Sequence, residues 1–292
     1  MSDEGPFGPV INGTMVVVFY EYRPSKPAGF AFMALFALAT LGHLIYLFRL
    51  RAWYFIPFLM GGIAEMFGYY GRALGSDTPD IVGPWIMQNL LILAGAPMLA
   101  ATIYMSVGRV IMALDARRFT LISPRWLTKL YVLIDIGAVA TQLIGSTIPA
   151  SGDPSAIELS KKVILGGLIA QLVALSFFIM QCVIVHRGIR QHPPNVVLSL
   201  PSVNWAVHFW AAEVVIVLTI VRSVVRAVEY LQGEDGFVIS HEVFIYVFDA
   251  FLMWSVMLLF LIIHPGRLIR DARRSGKEPG GRDEHIPLGS RG

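Results

Sequence analysis

The chain has 292 residues, of which 55% are apolar and 15% charged, and its net charge is +3. With a mean hydropathy of +0.64, this composition excludes a soluble globular domain and predicts a protein that crosses a membrane several times. The basic residues flank apolar segments, which indicates membrane orientation, so we expect no nucleic-acid partner. The single cysteine, Cys182, excludes an intrachain disulfide and a cysteine metal site.

The chain begins with a polar segment, residues 1–27, that is punctuated by Pro and Gly and lacks the features of a cleavable signal peptide. An Asn-Gly-Thr triplet at Asn12 fits glycosylation of an external N-terminus. We therefore predict three parts: an extracellular N-terminal segment (1–27), a transmembrane domain (28–265) and a basic, disordered cytosolic tail (266–292).

Seven apolar segments follow the N-terminal part, and each has about the 20 residues that an α-helix needs to cross the hydrocarbon core. They are Ala28–Phe48, Phe55–Leu74, Pro84–Val107, Leu130–Ile148, Val163–Val185, Val207–Val225 and Val243–Ile263. The sequence thus predicts an all-α integral membrane bundle of seven transmembrane helices.

The orientation of the bundle follows from the basic residues in its loops. The loops after segments 1, 3, 5 and 7 hold most of them, whereas the opposite side has Arg23, Lys26, Lys161 and Lys162. Because cytosolic loops are enriched in Lys and Arg, we predict that the N-terminus is outside and the C-terminus cytosolic.

Ionisable and amide side chains recur at helical spacing inside the apolar segments, mostly in their predicted outer halves. An ionised side chain at the bilayer centre costs about 2.5–3.5 kcal/mol, so such residues need a reason to be there. The pattern predicts an outward-opening polar pocket inside an apolar shell, suited to an amphipathic ligand. A purely structural role, in which buried ion pairs fix the helix register, stays open. The candidate ligand-binding residues are Glu65, Tyr69, Arg72, Gln88, Asp135, Gln142, Gln171, Arg222, Arg226, Glu229, Tyr230, Glu242, Tyr246 and Asp249.

The positions of the histidines decide which metal-dependent or haem-binding functions stay open. A metal-dependent membrane hydrolase needs several histidines at one depth, and only His43, His208 and His264 could meet, at the cytosolic rim. We therefore expect no enzyme and keep the hydrolase as an alternative. Asp135, Gln142 and Glu213 could instead form a proton path, although a structural role for Glu213 fits equally well. The sequence requires no cofactor, but haem stays open, with His43, His208 and His241 as candidate ligands.

Two other classes of seven-helix protein, the retinal proteins and the G-protein-coupled receptors, can be judged by whether their characteristic residues occur in this sequence. The last segment contains no lysine, which excludes a retinal Schiff base there. The common motifs of G-protein-coupled receptors are missing from segments 3 and 7. A lipid receptor or sensor therefore stays open on topology alone.

Six blocks in order carry a family resemblance. They are YEYRPSKPAGFAF, EMFGYYGRAL, QNLLILAGAPMLAATIYMSVGRVI, the Asp135 and Gln142 pair, GGLIAQ and RSVVRAVEYLQGEDGFVISHEVFIYVFDA. The chain from Tyr20 to about Pro265 resembles the RTA-like family of fungal seven-helix proteins, named for resistance to an aminocholesterol and also called lipid-translocating exporters. The candidate residues above match the family's polar positions, together with Tyr104 and Arg109.

The resemblance implies a fungal membrane protein that binds and translocates or exports amphipathic molecules: sphingoid bases, toxic sterol amines and, in one branch, porphyrins. It also implies resistance to such compounds and a place in the plasma membrane. No Gly-x-x-x-x-Gly-Lys-Ser/Thr motif occurs, so direct export driven by ATP is unsupported. The partners expected are the lipid bilayer and a lipid-like small molecule; the cargo and the oligomeric state stay open.

Overall fold

A computed structural model of the chain describes residues 7–11, 14–17, 22–147, 154–198, 204–232 and 236–275. The helices are α1 (Lys26–Leu50), α2 (Ile56–Gly75), α3 (Val82–Ala113), α4 (Pro124–Thr147), α5 (Pro154–Gln191), α6 (Asn195–Leu198), α7 (Trp205–Gln232), α8 (Phe237–Ser240), α9 (Glu242–Ile245), α10 (Leu252–Ile262) and α11 (Pro265–Ser275). A π-helical turn, Tyr246–Phe251, joins α9 to α10. The prediction of a helical fold is confirmed.

Each predicted apolar segment lies, to within one residue at its ends, on one long helical run: α1 to α5, α7, or the run from α9 through α10. Ile148, the last residue of the fourth segment, lies outside the described residues. Several helices are longer than the segments predicted for them, most of all α5. Its 38 residues give a length of about 57 Å at 1.5 Å per residue, well beyond the thickness of the hydrocarbon core.

Among the described residues, five runs are long and apolar enough to cross a membrane. They are Lys26–Leu50, Val82–Ala113, Thr128–Gly145, Glu158–Gln191 and Glu242–Ala272. The helices α2 and α7 are outside this group and carry buried charged residues such as Arg72 and Arg222. Many large apolar side chains are exposed, among them Leu38, Leu133 and Val173, as expected where lipid is the solvent. The protein is therefore an integral membrane protein.

The long helices form a closed ring in which each packs against the next along the chain, and the α9–α10 run returns to α1. Small residues permit the close approach of neighbouring helices. A Cβ at Gly29 of α1 would lie 2.9 Å from the Cβ of Ala73 on α2. A Cβ at Gly68 of α2 would lie 2.6 Å from Cγ1 of Ile92 on α3. Sequence neighbours thus become spatial neighbours around one common interior.

A short hairpin precedes the helices and departs from the predicted all-α pattern. Strands β1 (Phe7–Ile11) and β2 (Thr14–Val17) pair antiparallel, with Ile11 opposite Thr14. The Asn-Gly dipeptide at 12–13 is a strong hairpin signal in the sequence. The prediction of a polar N-terminal segment did not use it. Asn12 itself lies outside the described residues, so its predicted glycosylation stays a prediction.

The helix α11 corrects the prediction of a disordered tail from residue 266. Leu268, Ile269 and Ala272 are buried, and the helix packs against α1, α3, α6 and α7. These three positions lie on one face of a helix. The prediction of disorder rested on the basic composition of the segment and did not use this spacing. Disorder is therefore the wrong prediction for residues 266–275, while residues 276–292 lie outside the described part.

Candidate functional site

Arg72 on α2 is the centre of a buried hydrogen-bond network. Its Nε donates to the Tyr246 hydroxyl at 3.0 Å and its Nη1 to Oε1 of Gln88 at 3.4 Å. Its Nη2 donates to the Tyr22 hydroxyl at 2.8 Å and to Oε1 of Glu242 at 3.0 Å. With a side chain this well partnered and 1% exposed, Arg72 locks helices together rather than facing a ligand. We call these five residues the Arg72 network.

The carboxylate of Glu242 ties the start of α9 to the chain before α1. Its Oε1 accepts from the backbone N–H of Ser25 at 2.6 Å and from the Tyr246 hydroxyl at 2.9 Å. The guanidinium of Arg72 lies over the rings of Tyr22 and Tyr246, at 5.5 and 5.2 Å from their centroids. Burial raises the pKa of the Tyr22 phenol, which therefore stays neutral within the network.

A second group of charges lies between α7 and the π-helical turn. One oxygen of the Asp249 carboxylate pairs with Nε of Arg222, and the other accepts from Nη2 of Arg226 at 2.5 Å. Nη1 of Arg226 also pairs with Oε2 of Glu229 at 3.2 Å. These four residues, Arg222, Arg226, Glu229 and Asp249, form what we call the α7 cluster, in which two positive charges face two negative ones.

The π-helical turn explains how Asp249 reaches both arginines. A π turn inserts an extra residue into the helix and rotates the side chains around it, and such turns occur frequently at functional sites. Asp249 is in this turn and is buried. Its two partners stand one helical turn apart on α7, so a single carboxylate can pair with both.

A cavity of about 50 Å³ opens beside the α7 cluster. A cavity needs about 10–15 Å³ to hold one water molecule, so this one has room for a few waters or a small polar group. All four cluster residues line it, and most of its other lining residues are apolar. The other lining residues are Tyr22, Val225, Val238, Ile239, His241, Phe244, Ile245 and Phe248. The cavity can accept a charged head but not the whole of a long-chain lipid.

Glu65 lies behind the cluster and has a different environment. It is 0% exposed, and within the described part of the chain neither of its carboxyl oxygens has a hydrogen-bond partner. The charges that act on it are those of Asp249, Arg222 and Arg226. Gly95 on α3 makes room for it, since a Cβ there would lie 2.9 Å from Oε1 of Glu65.

The other predicted site residues do not reach the cavity. Asp135 on α4 interacts with Tyr104 and Gln171 on the neighbouring helices, and Nε2 of Gln142 donates to the carbonyl of Ala138 in its own helix at 3.1 Å. Tyr69 stacks on Phe36 and Tyr230 packs against α5. The single polar pocket expected from the sequence is therefore divided into the Arg72 network, the α7 cluster and a separate group around Asp135.

The histidines are also distributed over several places. His43 is buried and its Nε2 hydrogen-bonds the Met257 carbonyl at 2.9 Å. Its ring lies 6.0 Å from that of His264, whereas His208 lines a separate apolar cavity of about 10 Å³. Among the described residues, no group of three or more His, Cys, Asp or Glu side chains could hold a metal ion. Of the three candidate haem ligands, His241 lines the cavity of the α7 cluster.

A buried pair that the sequence reasoning missed joins α5 to α7. Nδ1 of His186 lies 2.8 Å from Oε1 of Glu213, and both side chains are largely buried. The sequence predicts a proton-path or structural role for Glu213 and makes no prediction for His186. The sequence offered little signal, because His186 directly follows the predicted segment Val163–Val185. The structure extends α5 to Gln191 and buries His186, and a buried histidine needs a polar partner.

Comparisons with known proteins place the chain among fungal membrane proteins. A family model described as RTA1 like protein matches residues 58–272. Protoporphyrin uptake protein 1 of Saccharomyces cerevisiae is 30% identical, over 84% of this chain and 91% of its own length. Protein RTA1 of the same yeast is 29% identical over 84% of each chain. Its sphingoid long-chain base transporter RSB1 is 25% identical, over 77% of this chain and 67% of its own length. No solved structure matches the chain.

Proposed function

Because this chain belongs to the RTA1-like family, we propose that it binds amphipathic, lipid-like molecules at the α7 cluster and moves them across a membrane. The observation that carries this proposal is the cavity of the cluster, which combines a charged wall with an apolar one. A polar head meets the charges there, and the apolar body extends along Phe244 and Phe248 and out between the helices.

The exposure of the cluster residues suggests an order of contact. The side chains of Arg226 and Glu229 are 20% and 24% exposed, whereas those of Arg222 and Asp249 are 8% and 5% exposed. An incoming head therefore meets Arg226 and Glu229 first, and one of them pairs with it according to its charge. Arg222 and Asp249 form the floor of the site.

The names of the relatives support a site with both signs of charge. One relative is named for protoporphyrin uptake and another for sphingoid long-chain base transport. A porphyrin with acid side chains carries carboxylates and a sphingoid base carries an amine, and both have a large apolar body. Arg226 can pair with a carboxylate and Glu229 with an amine, so the cluster suits either class of cargo.

We also propose the membrane arrangement. The charges of α2 and α7 point into the ring, where Arg72 and Arg222 are paired, so these two helices can cross the membrane as well as the five apolar ones. The seven crossings put residues 1–27 outside and the C-terminus in the cytosol, as the basic loops predict. We expect the plasma membrane to hold the protein.

Flux of a labelled lipid tests the proposal. Full-length protein in liposomes should speed the movement of a fluorescent sphingoid base between the leaflets. Glu229→Gln and Asp249→Asn remove the negative charges that would pair with the amine and should slow it, with Lys162→Gln as control because the Lys162–Glu158 pair is exposed at the start of α5. Unchanged flux in both cluster variants would reject the assigned site. Binding without flux in the wild type would favour a lipid receptor or sensor.

A second candidate function is porphyrin or haem binding, which the place of His241 on the cavity wall favours. Haem added to the purified protein should then give a Soret band that shifts in His241→Ala. His43→Ala serves as the comparison, since the Nε2 of that ring is hydrogen-bonded to Met257. A spectrum that is the same with and without the protein would remove this candidate.

A further inference from the structure

Glu65 lies against the α7 cluster but, in the described part of the chain, makes no hydrogen bond to it. Its carboxyl group is 0% exposed and unpartnered among the described residues, and Nη2 of Arg222 is unpartnered among them too. Two buried groups that could satisfy each other thus remain apart while Asp249 holds Nε of Arg222.

The surroundings of Glu65 favour its neutral, protonated form. An ionised carboxylate taken out of water without a hydrogen bond is strongly disfavoured. The charged groups that face it are Asp249, which repels a second negative charge, and Arg222 and Arg226, which are both already paired with Asp249. An ionised Glu65 would therefore have no counter-ion of its own in this conformation.

We propose that Glu65 is a proton-binding site whose proton is released when a cationic amphipathic molecule binds the α7 cluster. This inference rests on the proposed function, because it takes the α7 cluster as the place where the head binds. It adds a coupling ion and a class of cargo to that function: molecules with an ammonium head.

The exchange follows from the arrangement of partners. An ammonium head that enters the cavity pairs with Asp249, so Arg222 loses its counter-ion. Glu65 does not line the cavity, whereas Arg222 does. When the free guanidinium of Arg222 turns toward Glu65, cavity water follows it and takes the proton of Glu65, and the carboxylate becomes the new partner of Arg222. One positive charge enters and one leaves, so the net charge of the buried site is unchanged. Protonation of Glu65 reverses the sequence and expels the head.

Such an exchange makes proton and cargo compete for one site. By linkage, a ligand that lowers the protein's affinity for a proton has its own affinity lowered by the proton to the same degree. A proton gradient across the membrane can then drive cationic cargo in the opposite direction. The chain has no nucleotide-binding P-loop motif, and this device supplies a driving force without one.

Proton release on ligand binding tests the proposal directly. The probe is N,N,N-trimethylsphingosine, because its charge is permanent and it cannot itself release a proton. Full-length protein in weakly buffered detergent solution is mixed with the probe, and a pH-indicator dye reports the protons. We expect about one proton per bound probe in the wild type. Glu65→Gln mimics the protonated state, so it should bind the probe more weakly and, at probe concentrations that saturate it, release no proton.

Two further variants sharpen the test. Glu213→Gln is the matched control: it changes another buried carboxyl group, on α7, which pairs with His186, and it should release protons as the wild type does. Gly95→Ala puts a methyl 2.9 Å from Oε1 of Glu65 and should reduce the release without changing an ionisable residue. Probe binding without proton release in the wild type, or full release from Glu65→Gln, overturns the proposal.

A second measurement keeps the inference separate from the proposed function. Infrared spectroscopy of the ligand-free protein should show the carbonyl band of a buried protonated carboxyl group, and Glu65→Gln should lose it. If the band is the same in both proteins, Glu65 is not the proton site, whatever the cargo. If the band behaves as expected but no amphipathic probe binds, the proposed function fails and the proton site stands.

Discussion

Arg72 and Glu242 are 170 residues apart in the chain and form an ion pair in which Arg72 is buried and Glu242 partly exposed, with Nη2 and Oε1 separated by 3.0 Å. The pair joins α2 to the start of α9, which is the last of the long helical runs. It therefore holds the beginning of the bundle to its end. Its lack of contact with the cavity gives it a structural role, in contrast to the α7 cluster.

Replacing Arg72 should test this structural role. Arg72→Ala leaves the Glu242 carboxylate, whose side chain is 20% exposed, without its charge partner. Breaking a buried pair in this way costs about 3–5 kcal/mol, and the partial exposure of Glu242 puts the expected loss at the lower end of that range. We expect a clear loss of folded protein when detergent-solubilised samples are heated and analysed by size exclusion. Lys26→Ala removes the half-exposed pair with Asp77 and should cost about 0–1 kcal/mol. Equal heat stability of the two variants would contradict the assignment.

Variants of the Arg222–Asp249 pair should show whether the pair is needed for stability, for transport or for both. Asp249→Leu alone strands Arg222, leaves Arg226 with Glu229 as its partner, and should reduce the folded fraction on heating. The double variant Arg222→Met with Asp249→Leu removes a buried charge of each sign, and such apolar replacements are often neutral or stabilising by about 1–4 kcal/mol. We expect the double variant to recover heat stability and still fail to move a labelled sphingoid base. Recovery of both properties would show that the pair only fixes the helices.

Two glycines give a matched test of helix packing. Gly29→Ala brings a methyl within 3.0 Å of the Ala73 backbone nitrogen, so α1 and α2 must move apart, which typically costs about 1–3 kcal/mol. Gly166 on α5 has open space, with nothing within 4 Å of an added Cβ. Gly166→Ala should stabilise by about 0.5–1 kcal/mol through helix propensity. Melting curves of the purified variants should therefore shift in opposite directions.

Docking of α11 can be tested by proteolysis. Leu268 is buried against the bundle, and Leu268→Asp would place a charge in that contact, so the helix should detach. We expect faster trypsin cleavage at Arg270 and Arg274 than in the wild type. Arg274→Gln, at an exposed position of the same helix, is the control and should leave cleavage at Arg270 unchanged. Equal cleavage rates in Leu268→Asp and the wild type would mean that α11 is not held.

Local sequence was sufficient for the helices and insufficient for the elements at both ends. An apolar run of membrane length has no alternative to a helix in hydrocarbon, so the seven long runs could be predicted from length and composition alone. The hairpin and α11 were not predicted, because the predictions for residues 1–27 and 266–292 rested on the polar composition of these segments. The Asn-Gly dipeptide at 12–13 and the stripe of Leu268, Ile269 and Ala272 were present as local signals.

The sequence by itself also determined which polar residues must be enclosed, because charges such as Glu65, Arg72 and Asp249 cannot face lipid. Only the tertiary structure decided their partners. Partner choice depends on how each helix is rotated about its axis and on the π-helical turn that aims Asp249 at α7. Helical spacing determines which residues of one helix share a face, whereas contacts between helices depend on how the helices pack. That packing satisfies Arg72 and leaves Glu65 without a hydrogen-bond partner among the described residues.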